Sequence, residues 1–199
     1  MNINEYQNYH ETKAHTSAEF PYNTYLCSIP LDFPGVPLHW HDELELVVIK
    51  RGQGFVSVDF DKHLVHSGDI IIIRPGCLHA IEQDDTFKME YENIIFKPDL
   101  LSSGINDLCM IQYIVPLLDG SLPIEYFLTP ALGSFEALSN CIRQIDLVCA
   151  DQTPGWQLAV KSSLFNFFFL LISERQKKTV STSSNPKSLE KMKTVLKYV

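Results

Sequence analysis

The stretch HWHDELELVVIKRG, from His39 to Gly52, sets histidines and acids directly before a strand-like apolar run. Side chains alternate between the two faces of a strand, so His39, His41 and Glu45 project from one side if the strand is continuous. Glu43 has the same parity, so a break or twist near Asp42 to Leu44 is expected. Trp40 falls between the histidines and should face away from them, into packing. Imidazoles with one carboxylate suit zinc, nickel, iron, copper or manganese better than calcium. A further histidine, His79, closes the segment GDIIIIRPGCLH (68–79), where Gly76 permits a tight turn just before it. His39, His41, Glu45 and His79 are therefore candidate metal ligands, and equally candidate polar groups of a ligand pocket. Phe55 and Tyr91 are added as pocket candidates; the Tyr91 hydroxyl needs a partner if it is buried.

Outward from this stretch, residues 21–97 read as short strands. "YNTYLCSI" is rich in branched and aromatic residues, and "FKMEYENIIF" alternates. "LELVVIK" and "FVSVDF" flank Gly52-Gln53-Gly54, which predicts a hairpin with a short glycine loop. Such spacing indicates an all-β sandwich or barrel. Residues 1–20 are polar and weakly patterned, an arm.

Residues 98–178 turn helical. "DLCMIQYIVPLL" is short and broken at Pro116. Thr129-Pro130 and Thr153-Pro154 each offer an N-cap followed by an N1 proline. Phe135, Leu138, Ile142, Ile145 and Cys149 recur on one helical face. The second helix, reaching about Lys178, is apolar nearly all round from Leu164 to Ile172 and needs cover on every side. A barrel covers one side only. The other side meets a helix or a second subunit, and a homodimer through Leu164, Phe168 and Leu171 is expected. "TVSTSSNPK" (179–187) reads as a mobile linker and "SLEKMKTVLKYV" (188–199) as the start of a new amphipathic helix.

The 199 residues, 22.7 kDa, can bury a sizeable core. A net charge of −8 makes this chain alone a poor partner for DNA phosphates. Five scattered cysteines without a C-x-x-C pair suggest neither a disulfide framework nor a thiolate zinc site, and point to a reducing cytoplasm. The run Leu164 to Ile172 is about half the length that crosses a bilayer, so no membrane partner is expected.

The spacing H-x-H-x3-E-x6-G, met by His39, His41, Glu45 and Gly52, resembles the first cupin motif. "GDIIIIRPGCLHAIEQ" resembles the second, with Arg74 where a proline is usual and Gln83 where asparagine is common. Adding "IIFKPDLL" and the two helices, the chain is similar to AraC-type transcription regulators. The resemblance implies a mainly β fold with C-terminal α: a cupin (double-stranded β-helix or jelly-roll) barrel, then two antiparallel helices. It implies an effector-sensing and dimerisation domain, not an enzyme, that binds a small molecule, sugars being the family-level expectation. Promoter DNA would be met only through a further C-terminal helix-turn-helix domain, of which 188–199 resembles the first helix. The alternative is a metal-dependent cupin enzyme, a dioxygenase or isomerase, holding Zn, Ni, Fe or Mn on the same four side chains.

Overall fold

A computed structural model describes residues 3–103 and 107–179. The expected helix at 188–199, and the linker at 179–187 apart from its first residue, lie outside the described residues.

Eight strands run in the order β1 (Tyr22–Ile29), β2 (Gly35–His39), β3 (Leu44–Val58), β4 (Asp61–His66), β5 (Ile70–Ile73), β6 (His79–Gln83), β7 (Met89–Phe96) and β8 (Phe127–Leu128). All named pairs are antiparallel. The first half of β3 pairs with β7 and β5, and the second half with β4 and β6. One strand thus runs through both halves of the expected cupin-type barrel.

The Gly52–Gly54 hairpin is not there; β3 passes straight through it. Gly52 takes φ +78°, and a Cβ on it would collide with the Lys88 carbonyl, so only glycine lets β7 approach. The pairing slips between Ile49 and Arg51, a bulge that bends the strand out of one sheet and into the other. The actual hairpin lies at Asp59 and Phe60, both at positive φ, and leads into β4.

Two cores share the first half of β3. Leu44, Leu46 and Val48, with Ile70, Ile72, Ile94 and Phe96, pack outward against helices. Val47 and Ile49, with Ile71, Ile73 and Tyr91, fill the barrel. A strand buried on both faces has no use for polar alternation, which explains the unbroken "IIII" of β5.

The helical layer holds a short helix α2 (Val115–Asp119), α3 (Phe135–Asp151) and α4 (Trp156–Thr179). Pro116 does not break its helix. A π turn at Met110–Ile114 precedes it, which absorbs a residue lacking an N–H to donate. Thr129-Pro130 does not open α3, which starts at Phe135 behind Ser134; those residues follow β8 instead, so the segment expected to be helical also adds a strand to the sheet. Leu138, Ile142 and Ile145 are buried as their spacing predicts, with Phe135 and Cys149 packed against them.

Helix α4 corrects the dimerisation residues. Leu164, Phe168 and Leu171 are 0%, 1% and 3% exposed, inside the chain's own core with Val160 and Phe167. The apolar side chains left bare are Leu158, Phe165 and Phe169, at 74%, 41% and 64%. Over Trp156–Glu174 this helix is, by length and composition, apolar enough to span a bilayer, longer than the central run suggests. Its inner face, however, is committed to the core.

Candidate functional site

His39 and His79 are direct cross-strand partners on β2 and β6, with ring centroids 4.0 Å apart. The chain leaves regular strand after His39 and resumes at Leu44, the break that the parity of Glu43 demanded. This lets His41 turn inward, its ring 4.9 Å from that of His79. Glu45 shares a face of β3 with Val47 and Ile49 and so points into the barrel. His39, His41 and His79 each present a nitrogen within 4.8 Å of the others. Gly76, at φ +72°, turns the chain before His79, and its N–H donates to the His41 carbonyl (2.9 Å).

The hydrogen bonds fix the ring orientations. His39 Nδ1–H donates to the Pro37 carbonyl and His79 Nδ1–H to the Cys77 carbonyl, both at 2.9 Å. Their Nε2 lone pairs therefore face inward, the arrangement by which backbone carbonyls orient metal-bound imidazoles. His79 Nε2 is buried without a hydrogen bond and lies 3.3 Å from Glu45 Oε2. Two acceptors at that distance, away from water, need positive charge between them, a proton in the metal-free chain or a metal ion in its place. His41 donates Nε2–H to Glu45 Oε2 at 3.0 Å, while its Nδ1 is 3.7 Å from Glu43 Oε2. That Nε2 proton is the one a metal must displace if this nitrogen is to become a ligand. The donor set thus fits a divalent transition metal of the kind that imidazoles and a carboxylate hold. Bound there, such an ion would polarise and orient the oxygen atoms of a ligand in the barrel.

The charges follow the same logic. Burial opposes the Glu45 carboxylate, yet the His41 and His79 contacts outweigh it and hold Glu45 well below the usual carboxylate range. Burial also opposes charge on His41, but the hydrogen bond to Glu45 and the carboxylates of Glu45, Glu43 and Glu11 raise its pKa. His39 goes the other way, lowered by burial and by His79 beside it.

A pH profile for the metal-stripped chain follows. With Glu45 depressed below its ordinary 4.5, its stabilising contribution is present above pH 4.5 and lost as pH falls through the folded value. With His41 raised above its ordinary 6.5, its contribution is complete below pH 6.5 and lost as pH rises through the folded value. His39, lowered below its ordinary 6.5, offsets part of this as pH falls, so the difference between variants is the test: in EDTA-treated protein, Glu45→Gln should lower the unfolding midpoint most between pH 4.5 and 6.5. Equal loss at every pH up to about 9, beyond the ordinary imidazole range, contradicts this.

Of the remaining pocket candidates, Tyr91 is fully buried on the barrel side of β7. Burial, the Cys27 thiol and the Glu45 carboxylate push its hydroxyl well above the usual range. Phe55 does not join the site. The bulge near Arg51 reverses parity, so Val56 and Val58 face inward and Phe55 lies outside under the Lys62 ammonium, 4.5 Å from its ring centroid. Trp40 does face away from the histidines, stacked between Tyr6 (4.7 Å) and His10 (4.1 Å) of the arm.

The arm was the part that spacing could not place. It begins with helix α1 (Ile3–Gln7) and lies along the segment between the barrel histidines. Trp40 N–H donates to the Tyr9 carbonyl and Glu11 N–H to the Trp40 carbonyl, both at 2.9 Å. Tyr6 donates its hydroxyl to the Gly76 carbonyl at 2.7 Å. This brings Glu11 and His15 to the site: His15 Nε2 is 3.0 Å from Glu11 Oε2, which is 3.5 Å from His39 Nε2.

Comparison with known proteins agrees with this architecture. Residues 25–168 match the AraC-like ligand binding domain. The HTH-type transcriptional regulator YdeC of Bacillus subtilis is 33% identical over 98 residues, 49% of this chain and 34% of the relative. YbfI, another HTH-type transcriptional regulator of that organism, is 21% identical over 163 residues, 82% of this chain and 54% of the relative. The chain thus spans about a third to about half of the length of these curated relatives. Among solved structures, a cupin protein from Bacteroides fragilis is similar, at 22% identity and a TM-score of 0.37, over 46% of this chain and 75% of the other. With its barrel, its helical layer and a family match that runs from β1 into α4, the chain belongs to the AraC-like ligand-binding domains.

Proposed function

We propose that the chain is the effector-sensing and dimerisation part of a cytoplasmic transcription regulator of the AraC type, and that His39, His41, Glu45 and His79 hold a divalent metal that anchors a polar small molecule. The observation that carries this is the buried pairing of His79 Nε2 with the Glu45 carboxylate at 3.3 Å, on a strand whose other face packs against the helices. Tyr91 supplies a hydroxyl on the same side of the barrel, which with the histidines suits a guest rich in oxygen rather than a purely apolar one. Sugars and hydroxy acids have this chemistry. DNA would be engaged by a further domain and not by this acidic chain.

The coupling is built into β3. Glu45, Val47 and Ile49 look into the barrel, while Leu44, Leu46 and Val48 look at the helices. Lys50 extends the outer row. Its ammonium bonds Glu92 of β7 at 2.6 Å and Asp146 of α3 at 3.0 Å, and Glu92 accepts from Thr24 of β1 at 2.8 Å. A guest that shifts β3 shifts the seat of α3. It changes the output only if it binds one arrangement more tightly than the other.

Dimerisation would use Leu158, Phe165 and Phe169, which fall on one side of α4 and are bare in the single chain. Sedimentation at tens of micromolar should show a dimer, and Phe165→Asp or Phe169→Asp should give a folded monomer; a stable monomer of the unaltered chain contradicts the reading.

The sensing role is tested by titrating sugars and hydroxy acids into metal-loaded protein and following thermal unfolding. A true effector raises the midpoint with its concentration by mass action, and Glu45→Gln abolishes the rise. Consumption of the added compound with release of product would instead favour the metal-dependent cupin enzyme, a dioxygenase or isomerase using the same four side chains.

A further inference from the structure

The barrel ligands have a counterpart outside the barrel. Glu11 belongs to the arm, yet its Oε2 lies 3.5 Å from His39 Nε2. His39 spends its only ring N–H of the neutral form on the Pro37 carbonyl. Its Nε2 therefore meets Glu11 lone pair to lone pair, as His79 Nε2 meets Glu45. His15 Nε2–H holds the same Glu11 oxygen at 3.0 Å and keeps it turned inward. The arm backbone leaves little freedom in this placement, because Glu11 N–H is bound to the Trp40 carbonyl, between the two motif histidines. Glu11 Oε2 at His39 and Glu45 Oε2 at His79 thus each lie against a nitrogen of the three-histidine group, whose ligand nitrogens are within 4.8 Å of one another.

We propose that Glu11 is a further ligand of the barrel metal centre, contributed by the arm, so that metal binding and docking of the arm are coupled. This rests on the metal reading of the barrel site and adds a carboxylate that the strand motifs do not contain. Coupling runs both ways: the ion tightens the arm, and the docked arm tightens the ion. Lys13, exposed two residues beyond Glu11, offers a trypsin site whose cleavage slows as the arm is held more tightly.

The experiment uses the full 199-residue chain, stripped with EDTA and titrated with Co2+, whose visible ligand-field bands report coordination. The unaltered chain, Glu11→Gln and His79→Ala are compared by calorimetry, by the Co2+ spectrum, and by the rate at which trypsin releases the 1–13 peptide with and without Co2+. The isosteric Glu11→Gln keeps the arm's backbone contacts. It is expected to weaken Co2+ by at least about tenfold, since even partners that only orient ligands cost that much. It should also change the band intensities and remove the protection of Lys13 that Co2+ gives to the unaltered chain. Co2+ that binds Glu11→Gln with the same affinity and spectrum, while His79→Ala fails to bind, overturns the arm ligand and leaves the barrel centre standing. An unaltered chain that binds no Co2+ overturns both.

Discussion

Protein carrying His79→Ala, purified without chelator, should contain no transition metal by elemental analysis, whereas the unaltered chain should carry it stoichiometrically; His41→Ala should behave the same way. His79 is 1% exposed and central to the site, next to His39, His41 and Glu45. Removing it deletes a ligand and leaves Glu45 buried with one fewer cationic or donor partner. Losing a partner that merely orients a ligand costs about 10–100-fold in metal affinity, and losing the ligand itself costs more. His66→Ala, in an exposed imidazole away from the cluster, is the control and should retain the ion. Acid should release the metal from the unaltered chain as protons compete for the imidazoles. Metal-free unaltered protein that still binds a polar ligand would mean that these side chains serve as hydrogen-bonding groups of the pocket alone.

The second large effect separates the two sides of α4. Phe168→Asp, or Leu171→Asp, should abolish the folded state, whereas the same change at Phe169 should leave a folded chain. Phe168 is 1% exposed, packed edge-on against Phe167 (5.4 Å) and beside Phe96 of β7. Burying such a ring contributes about 1.5–3 kcal/mol, and an unpaired carboxylate in its place adds a desolvation cost of several more. The sum, above about 4–5 kcal/mol, is comparable with the entire stability of a domain of this size. Circular dichroism and thermal melting decide it. A Phe168→Asp variant that melts like the unaltered chain would show that this ring is not in the core.

The grouping of His39, His41 and Glu45 was legible because it is local. His39, His41 and Glu45 declare a common face through parity, and the parity of Glu43 declares the break that makes this sterically workable. The errors have a common cause, which is that the deciding atoms come from distant parts of the chain. Gly52 at positive φ suits a turn or a bulge equally. What makes it a bulge is the Lys88 carbonyl on β7, which leaves no room for a side chain. The same bulge moves Phe55 to the outside, since one slipped residue exchanges the faces of everything beyond it. An all-round apolar helix such as α4 states that both sides are covered but not which side its own barrel covers, so Leu164, Phe168 and Leu171 were equally plausible on either. Glu11 and His15 carry no periodicity at all, and their place depends on backbone bonds to Trp40 that no spacing rule encodes.

The two-faced course of β3 has a practical meaning for altering this protein. Between Leu44 and Ile49 there is no solvent side, so no position is neutral, but the two consequences of mutation are sorted by odd and even number. Odd positions face the barrel and even positions face the helices. A library that varies Val47 and Ile49 can therefore retune recognition while leaving the helical seat intact, and one that varies Leu46 and Val48 can retune the output for an unchanged guest. Deleting or inserting one residue here would exchange the two vocabularies and lose both.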